Sequence, residues 1–349
     1  MPPQIALFGA SGYTGRLVAQ ELKKRNIEFI ACGRNPDNVK KVLSELKISA
    51  QTEALDATDP QSIENLLTRL APKLVITTIG PFLDFGKNIV SAATESGACY
   101  LDSSGEQAYI KWVYENIKPK SPEQVFVPSL AFEYALGDLG AEILKEKFAE
   151  PFEIRSFYYT PSHSPSRGTR ASMLKAIEQK TLAYKNGELA DSAGKTASVT
   201  IAELNKTLDA LIFPGGEPLM IPRHANVDSV ESYMVISLSA ARMLYRAAKD
   251  AKDKKEAIFT DKLGPTEDER KKNRFFIVLE GTSAHARASL TISGFDAYGI
   301  TAHLISEGAK TIMDGKLAKR GVCTPVEAFG KEKMLSWCEG WGVSFRFEA

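Results

Sequence analysis

Cysteine, histidine and long apolar runs are all scarce in this chain, and each scarcity excludes something. Four cysteines stand among 349 residues, Cys32, Cys99, Cys323 and Cys338, scattered and with no C-x-x-C pair. A disulfide scaffold is thereby excluded, and a reducing compartment fits best, with three of the thiols expected to be buried. The four histidines, His163, His224, His285 and His303, show no metal-ligand spacing, so no metal is expected. No stretch reaches the roughly 18 uncharged apolar residues of a membrane span. The N-terminus enters a strand almost at once, without a signal-peptide pattern, and a cytoplasmic protein is expected. Neither sign of charge is in excess: 44 Lys and Arg against 43 Asp and Glu leave a net charge of +1. That argues against a dedicated nucleic-acid binder. No repeat or low-complexity segment stands out. What is present, 44% hydrophobic and 25% charged residues, is the composition of a soluble globular chain of about two domains.

The most informative segment is the first. Gln4 to Phe8 is a short apolar run, Gly9-Ala10-Ser11-Gly12-Tyr13-Thr14-Gly15 follows, and Arg16 to Lys24 has a helical pattern. A buried strand, a glycine turn and a helix N-terminus form a phosphate cradle, because the first N–H groups of a helix point outward and its dipole favours negative charge. The glycines supply a tight turn, room for a pyrophosphate and close helix–strand packing. The spacing is G-x-x-G-x-x-G rather than G-x-G-x-x-G, and a plain turn has the same glycines; the position after a strand and before a helix favours a dinucleotide site. The backbone and side chains of Gly9, Ser11, Gly12, Tyr13, Thr14 and Gly15 are the candidate contacts. A second strand, Ile27 to Cys32, ends at Gly33-Arg34-Asn35. An NAD site usually carries an acid there; Arg34 instead suits the 2′-phosphate of NADP(H), its alternative being a solvated surface arginine.

Strand and helix signals alternate over about the first 150 residues, which implies right-handed crossovers and a parallel sheet covered on both faces. The pattern changes near Pro151. Glu153 to Thr160 alternates as a strand, Gly168-Thr169 opens a helix, and residues 185–196 read as a surface loop. Phe275 to Glu280 and Ala286 to Ser293 read as a hairpin. Residues 249–262 are a charge run. Residues 231–248 are apolar-rich and end in cations, and fit a core helix better than a helix lying on lipid. The expected architecture is α/β: a Rossmann-type doubly wound parallel sheet over 1–150, a central substrate or oligomerisation domain with a mixed or antiparallel sheet over 151–297, and a segment 298–349 returning to the first.

Several of these segments together resemble a known family. Phe8 to Val18, Cys32-Gly33-Arg34, Gly80-Pro81-Phe82, Tyr100 to Glu106, Gly168 to Ser172, Gly264 to Arg270 and Cys323-Thr324-Pro325 are similar, in order, to segments of the saccharopine dehydrogenase-like oxidoreductases, which include the trans-acting enoyl reductases. The resemblance implies a nucleotide-binding domain built from both chain ends, a central α/β domain, and hydride transfer to or from a nicotinamide. It leaves the substrate open and leans toward acyl lipids. Arg167 stands where relatives commonly carry glycine, which signals either an anionic group or a merely exposed side chain.

Ligands in such sheets bind beyond the carboxyl ends of the strands. That gathers the glycine loop, Arg34, Asp56, Gly80, Pro81, Phe82, Asp102 and Glu106. Asp56 is a candidate for the adenine amino group or a cap of a local turn. Gly80 permits close approach, and Pro81-Phe82 either stiffens a wall beside the nicotinamide or only ends a strand. Tyr100 and Asp102, two apart on one strand, share a face and are weak catalytic candidates, with Tyr100 equally readable as core. Glu106 caps the next helix or contacts substrate. Asp102, Glu106, Arg167 and Thr169 are the substrate candidates, and Phe82, Phe85, Phe132 and Tyr134 supply an apolar wall. No Tyr-x-x-x-Lys pair stands at the needed place. The reading is an NADP(H)-dependent reductase of a hydrophobic enoyl or carbonyl substrate. A catalytically silent dinucleotide-binding sensor or scaffold is the alternative. Expected partners are a small molecule, acyl lipid included, and a second copy in a homodimer, with no nucleic acid and membrane contact at most peripheral.

Overall fold

The computed structural model describes residues 4–161, 165–177, 179–237, 239–243, 246 and 263–348. His163 and the charge run 249–262 lie outside the described residues. The chain divides into two compact units: residues 1–132 with 298–333, and residues 133–297 with 334–349. The first boundary therefore falls at the end of the loop after the sixth strand, earlier than the change of pattern near Pro151.

The first stretch runs β1 (Ile5–Phe8), α1 (Tyr13–Lys24), β2 (Ile30–Gly33), α2 (Pro36–Glu45), β3 (Gln51–Ala54), α3 (Pro60–Leu70), β4 (Leu74–Thr77), α4 (Phe82–Glu95), β5 (Cys99–Asp102), α5 (Gln107–Asn116) and β6 (Val125–Val127). Local chemistry sets the helix starts. Asn35 accepts from the Asn38 amide and Asp59 from the Gln61 amide, and each is followed by a proline whose missing N–H is no loss in a first turn. β1, β2, β4 and β6 are buried along their whole length, as strands covered on both faces must be.

The second stretch runs α6 (Phe132–Leu144), β7 (Phe152–Tyr159), α7 (Arg167–Ile177), β8 (Leu182–Lys185), β9 (Glu188–Asp191), β10 (Thr196–Ile201), β11 (Lys206–Ile212), α8 (Glu217–Met220), β12 (Val227–Val235), α9 (Glu267–Lys272), β13 (Arg274–Thr282) and β14 (Arg287–Phe295). The chain continues through α10 (Ala297–Met313), β15 (Gly321–Val322), α11 (Pro325–Phe329), α12 (Lys331–Glu339) and β16 (Ser344–Glu348). Two sequence expectations change here. Residues 188–191 are not loop but the second strand of the β8–β9 pair. The segment beginning at Glu231 is not helical at its start, because Val227–Val235 is a strand held between parallel β7 and antiparallel β11.

The first sheet has seven strands in the order β15-β6-β5-β4-β1-β2-β3, all paired in parallel. The order reverses between β1 and β4, the crevice where open sheets bind ligands. Among the described residues the second sheet has nine strands, β10-β11-β12-β7-β13-β14-β16 with β8 and β9 branching from β12. It is mixed, and among the described residues its parallel pair is β12–β7. One face buries Phe157, Val199, Ile201, Tyr233, Phe276 and Val278. On the other lies α6, whose Gly140 comes so close that a Cβ there would stand 2.8 Å from both Ile292 and Leu279. The tail does not return wholly to the first sheet: β16 pairs antiparallel with β14, with Phe345 and Phe347 opposite Ile292 and Leu290. No helix of the described residues is long and apolar enough to cross a membrane.

Candidate active site

The cradle is built by three close approaches. Gly9 leaves β1 with φ +84°, a left-handed conformation that a side chain disfavours. A Cβ there would lie 2.9 Å from Ile79 and Thr78, so the loop after β4 is packed against the turn. Gly15, in the first turn of α1, would place a Cβ 2.1 Å from the Gly9 carbonyl oxygen. The helix can start at this height above the strand only with glycine there. Gly12 is different: its Cβ would meet the Gly9 carbonyl at 3.2 Å and nothing else within contact range. Gly12 is also the residue before the helix, and no side chain caps α1 or places an acid in its first turn. The positive end of the helix is therefore left for an anion. Arg16 Nε donates to the Ser11 carbonyl at 3.0 Å and holds the loop shut. Tyr13 packs edge-to-face on Tyr298, with ring centroids 5.0 Å apart. A Gly12→Val variant is expected to stay folded, as read by circular dichroism, while NADPH titration shows no binding.

Beside the cradle, the Gly9 amide donates to the Cys32 carbonyl at 3.0 Å, and a Cβ on Gly33 would stand 3.8 Å from Ser11 Oγ. The end of β2 thus lies against the glycine loop, and Arg34, the next residue, is exposed. Asp56, after β3, is exposed as well. Its carboxyl is held below the usual range by the Thr58 hydroxyl and amide, at 2.6 and 2.9 Å, and by the charge of Arg34. Asp56 therefore does cap its own turn, and its charge stands near Arg34.

The loop after β4 carries the cis Gly80–Pro81 bond, and Pro81 precedes α4. Phe82 does not present its ring as a wall. The ring is 4% exposed and packs on Tyr109, 5.5 Å between centroids. Glu106 caps α4, not the helix that follows it: its oxygens accept from the Phe82 and Leu83 amides at 2.7 and 2.8 Å. Tyr100 and Asp102 do share a face, but both are 0% exposed. Tyr109 bridges them, its hydroxyl 2.7 Å from that of Tyr100 and donating to Asp102 Oδ2 at 3.1 Å. Burial pushes both phenols and the Asp102 carboxyl up, the last opposed by Ser104 and Ser129. Buried in this network, Tyr100 and Asp102 are interior groups rather than an acid–base pair at the sheet edge.

Arg167 and Thr169 belong to the other unit, at the start of α7. Ser166 caps that helix by accepting from the Thr169 amide at 3.1 Å, and Arg167 is exposed. The same unit holds a buried acidic cluster that sequence reasoning missed. Glu217, 0% exposed, accepts from Ser232 Oγ at 2.6 Å and meets the Tyr158 hydroxyl, which lies 3.1 Å from the Glu133 carbonyl. Burial lifts Glu217 to about 8 and Glu133 to about 7. Burial pulls His224 down, but Asp138 and Glu142, at 2.7 and 2.8 Å, outweigh it and raise it to about 9. The only sequence signal was an acid repeatedly interrupting apolar helix residues in α6. Among the described residues no group of His, Cys, Asp and Glu has the arrangement of a metal site.

Residues 5–124 match the family described as saccharopine dehydrogenase NADP binding domain. Over 41% of its length the chain is 31% identical to a lipid droplet localized protein of Caenorhabditis elegans, covering 36% of that protein. Over 31% of its length it is 32% identical to a trans-acting enoyl reductase of Mycobacterium ulcerans, covering 27% of it. The chain thus matches well under half the length of these curated relatives. The apo saccharopine dehydrogenase (L-Glu forming) of Saccharomyces cerevisiae has the same fold, with a TM-score of 0.60 over 99% of both chains at 14% identity. The glycine cradle, the uncapped helix and the parallel sheet are, from inside the molecule, those of a dinucleotide-binding domain. Residues 5–124 thus form an NADP(H)-binding domain similar to that of saccharopine dehydrogenase, within a chain that has the saccharopine dehydrogenase fold.

Proposed function

We propose that this protein is an NADP(H)-dependent reductase of a hydrophobic enoyl or carbonyl compound of acyl-lipid type. The observation that carries the reading is the pairing of an open glycine cradle at an uncapped helix start with Arg34 at the end of the neighbouring strand. The amides of the Gly9–Gly15 loop would hold the pyrophosphate, with Ser11, Tyr13 and Thr14 around it. Arg34 would hold the 2′-phosphate by charge-assisted hydrogen bonds. Gly80 and Pro81 would border the nicotinamide. When bound, the cofactor supplies the hydride, and the chain has only to orient both reactants and deliver a proton. The lipid leaning rests on the names of the two curated relatives, one localised to lipid droplets and one an enoyl reductase.

The test is a titration of NADPH and NADH against wild type and Arg34→Ala. Wild type should prefer NADPH, and the variant should lose on the order of 1.5–3 kcal/mol of that preference. Equal wild-type affinities, or a preference untouched by the substitution, would refute the assignment of Arg34. The burial of Tyr100 and Asp102 favours the sensor alternative, since it removes the acid–base pair the sequence suggested. NADPH oxidation with a panel of enoyl and carbonyl compounds separates the two readings: turnover of any member excludes a silent sensor.

A further inference from the structure

Two buried carboxylates sit four residues apart, Asp102 at the end of β5 and Glu106 on the loop that follows it, and between them they reach the loops after β4, β5 and β6. Glu106, 1% exposed, accepts the Phe82 amide on Oε1 and the Leu83 amide on Oε2, so it fixes where α4 begins after Pro81. Asp102, 0% exposed, accepts two amides on Oδ1, from Ser104 at 2.9 Å and from Ser129 at 2.8 Å. Ser129 has φ +61°, the left-handed region that a residue with a side chain rarely adopts. It persists only where surroundings impose it. Here Asp102 takes its amide, and the Ser129 hydroxyl donates to the Ser104 carbonyl at 2.7 Å. The remaining oxygen of Asp102 accepts from Tyr109, whose ring lies on α4 where a Cβ on Gly86 would stand 2.6 Å from it.

In a doubly wound sheet the half around β1, β2 and β3 takes one mononucleotide, and the half around β4, β5 and β6 takes the other. Arg34, at the end of β2, makes the first half the adenosine side. We propose that Asp102 and Glu106 are positioning residues which lock the loops after β4, β5 and β6 into one arrangement and so fix the nicotinamide half of the cofactor without touching it. The proposal rests on the cofactor reading above.

Hydrogen-bond chemistry makes the substitutions unequal. Asparagine at 102 keeps an oxygen for both amides, and alanine keeps none. Glutamine at 106 must turn an NH2 group toward one of two N–H donors. Calorimetric titration of wild type, Asp102→Ala, Asp102→Asn and Glu106→Gln with 2′,5′-ADP, which has only the adenosine half, and with NADPH tests the idea, with thermal melts alongside. Asp102→Ala and Glu106→Gln should hold 2′,5′-ADP within about twofold of wild type and bind NADPH about tenfold or more weaker. Asp102→Asn should remain near wild type with both. If Asp102→Ala does not fold, Glu106→Gln decides alone. An unchanged ratio of NADPH to 2′,5′-ADP affinity, or equal loss of both ligands with a lowered melt, overturns the proposal. Wild type binding neither ligand overturns the cofactor reading, and the proposal with it.

Discussion

A Gly15→Ala variant is expected to destabilise the nucleotide-binding unit itself, not only to weaken the cofactor's hold. The new methyl carbon would lie 2.1 Å from the Gly9 carbonyl oxygen and 2.8 Å from its carbon. These are backbone atoms, and neither can swing aside as a side chain would. The Gly9 turn is in turn fixed to β2 by the Cys32 carbonyl and to β4 through Thr78 and Ile79. Relief requires α1 to lift from the sheet, which uncovers Val18, Ala19 and Leu22. A loss of about 3–5 kcal/mol is expected, in the range reserved for core disruption. The melting temperature should fall by roughly 10 °C. The comparison is Gly12→Ala, whose Cβ meets only one atom at 3.2 Å; it should melt near wild type and still bind NADPH more weakly. Equal melting temperatures for the two variants would show that the close approach of α1 to the Gly9 turn does not limit stability.

The second large effect is a pH dependence of stability carried by Glu217. This carboxyl is wholly buried, and burial raises it to about 8, with Ser232 opposing and the nearby Glu133 and Asp138 adding to the rise. A protonated Glu217 fits the same neighbours: the Tyr158 hydroxyl, whose hydrogen can go to Glu217 Oε1 or to the Glu133 carbonyl, and Ser232 Oγ, which donates to Oε2. The folded chain thus keeps a proton that the unfolded chain releases near the ordinary glutamate value of 4.5. Stability from this group is full below that value and is lost as pH rises toward about 8, because the unfolded state then binds fewer protons. Glutamine copies the protonated acid, with an NH2 toward Tyr158 and an oxygen toward Ser232, and it cannot ionise. Urea unfolding of wild type and Glu217→Gln at pH 5 and pH 8 should show the difference between them shifting by about 2–4 kcal/mol in favour of the variant at the higher pH. Glu133 and His224 also lower stability as pH rises in both proteins, and the difference reports Glu217 together with its coupling to Glu133 and Asp138. Parallel pH curves would falsify the protonated state.

The sequence by itself determined the units that close over a few residues. Apolar β1 followed by the glycine turn, Asn35-Pro36 and Asp59-Pro60 at helix starts, and the β13–β14 hairpin all depend on neighbours within one turn or one strand pair. The NADP-binding assignment at residues 5–124 was legible for that reason. Partner choice across the chain was not. Glu106 sits immediately before α5, where an acid commonly caps, yet it binds the start of a helix 24 residues earlier. Asp102 reads as an acid at a strand end, and its partner Ser129 lies 27 residues on. Residues 231–235 read as apolar-rich helix, and pairing with β7, more than 70 residues away, made them strand. Glu217, Tyr158 and Ser232 have no shared pattern at all, since three separate elements bring them to one buried point. A side chain's periodicity is set by the backbone geometry of its own element. Which donor satisfies a buried acid is set by the order of strands in the sheet, and that order exists only in the tertiary structure.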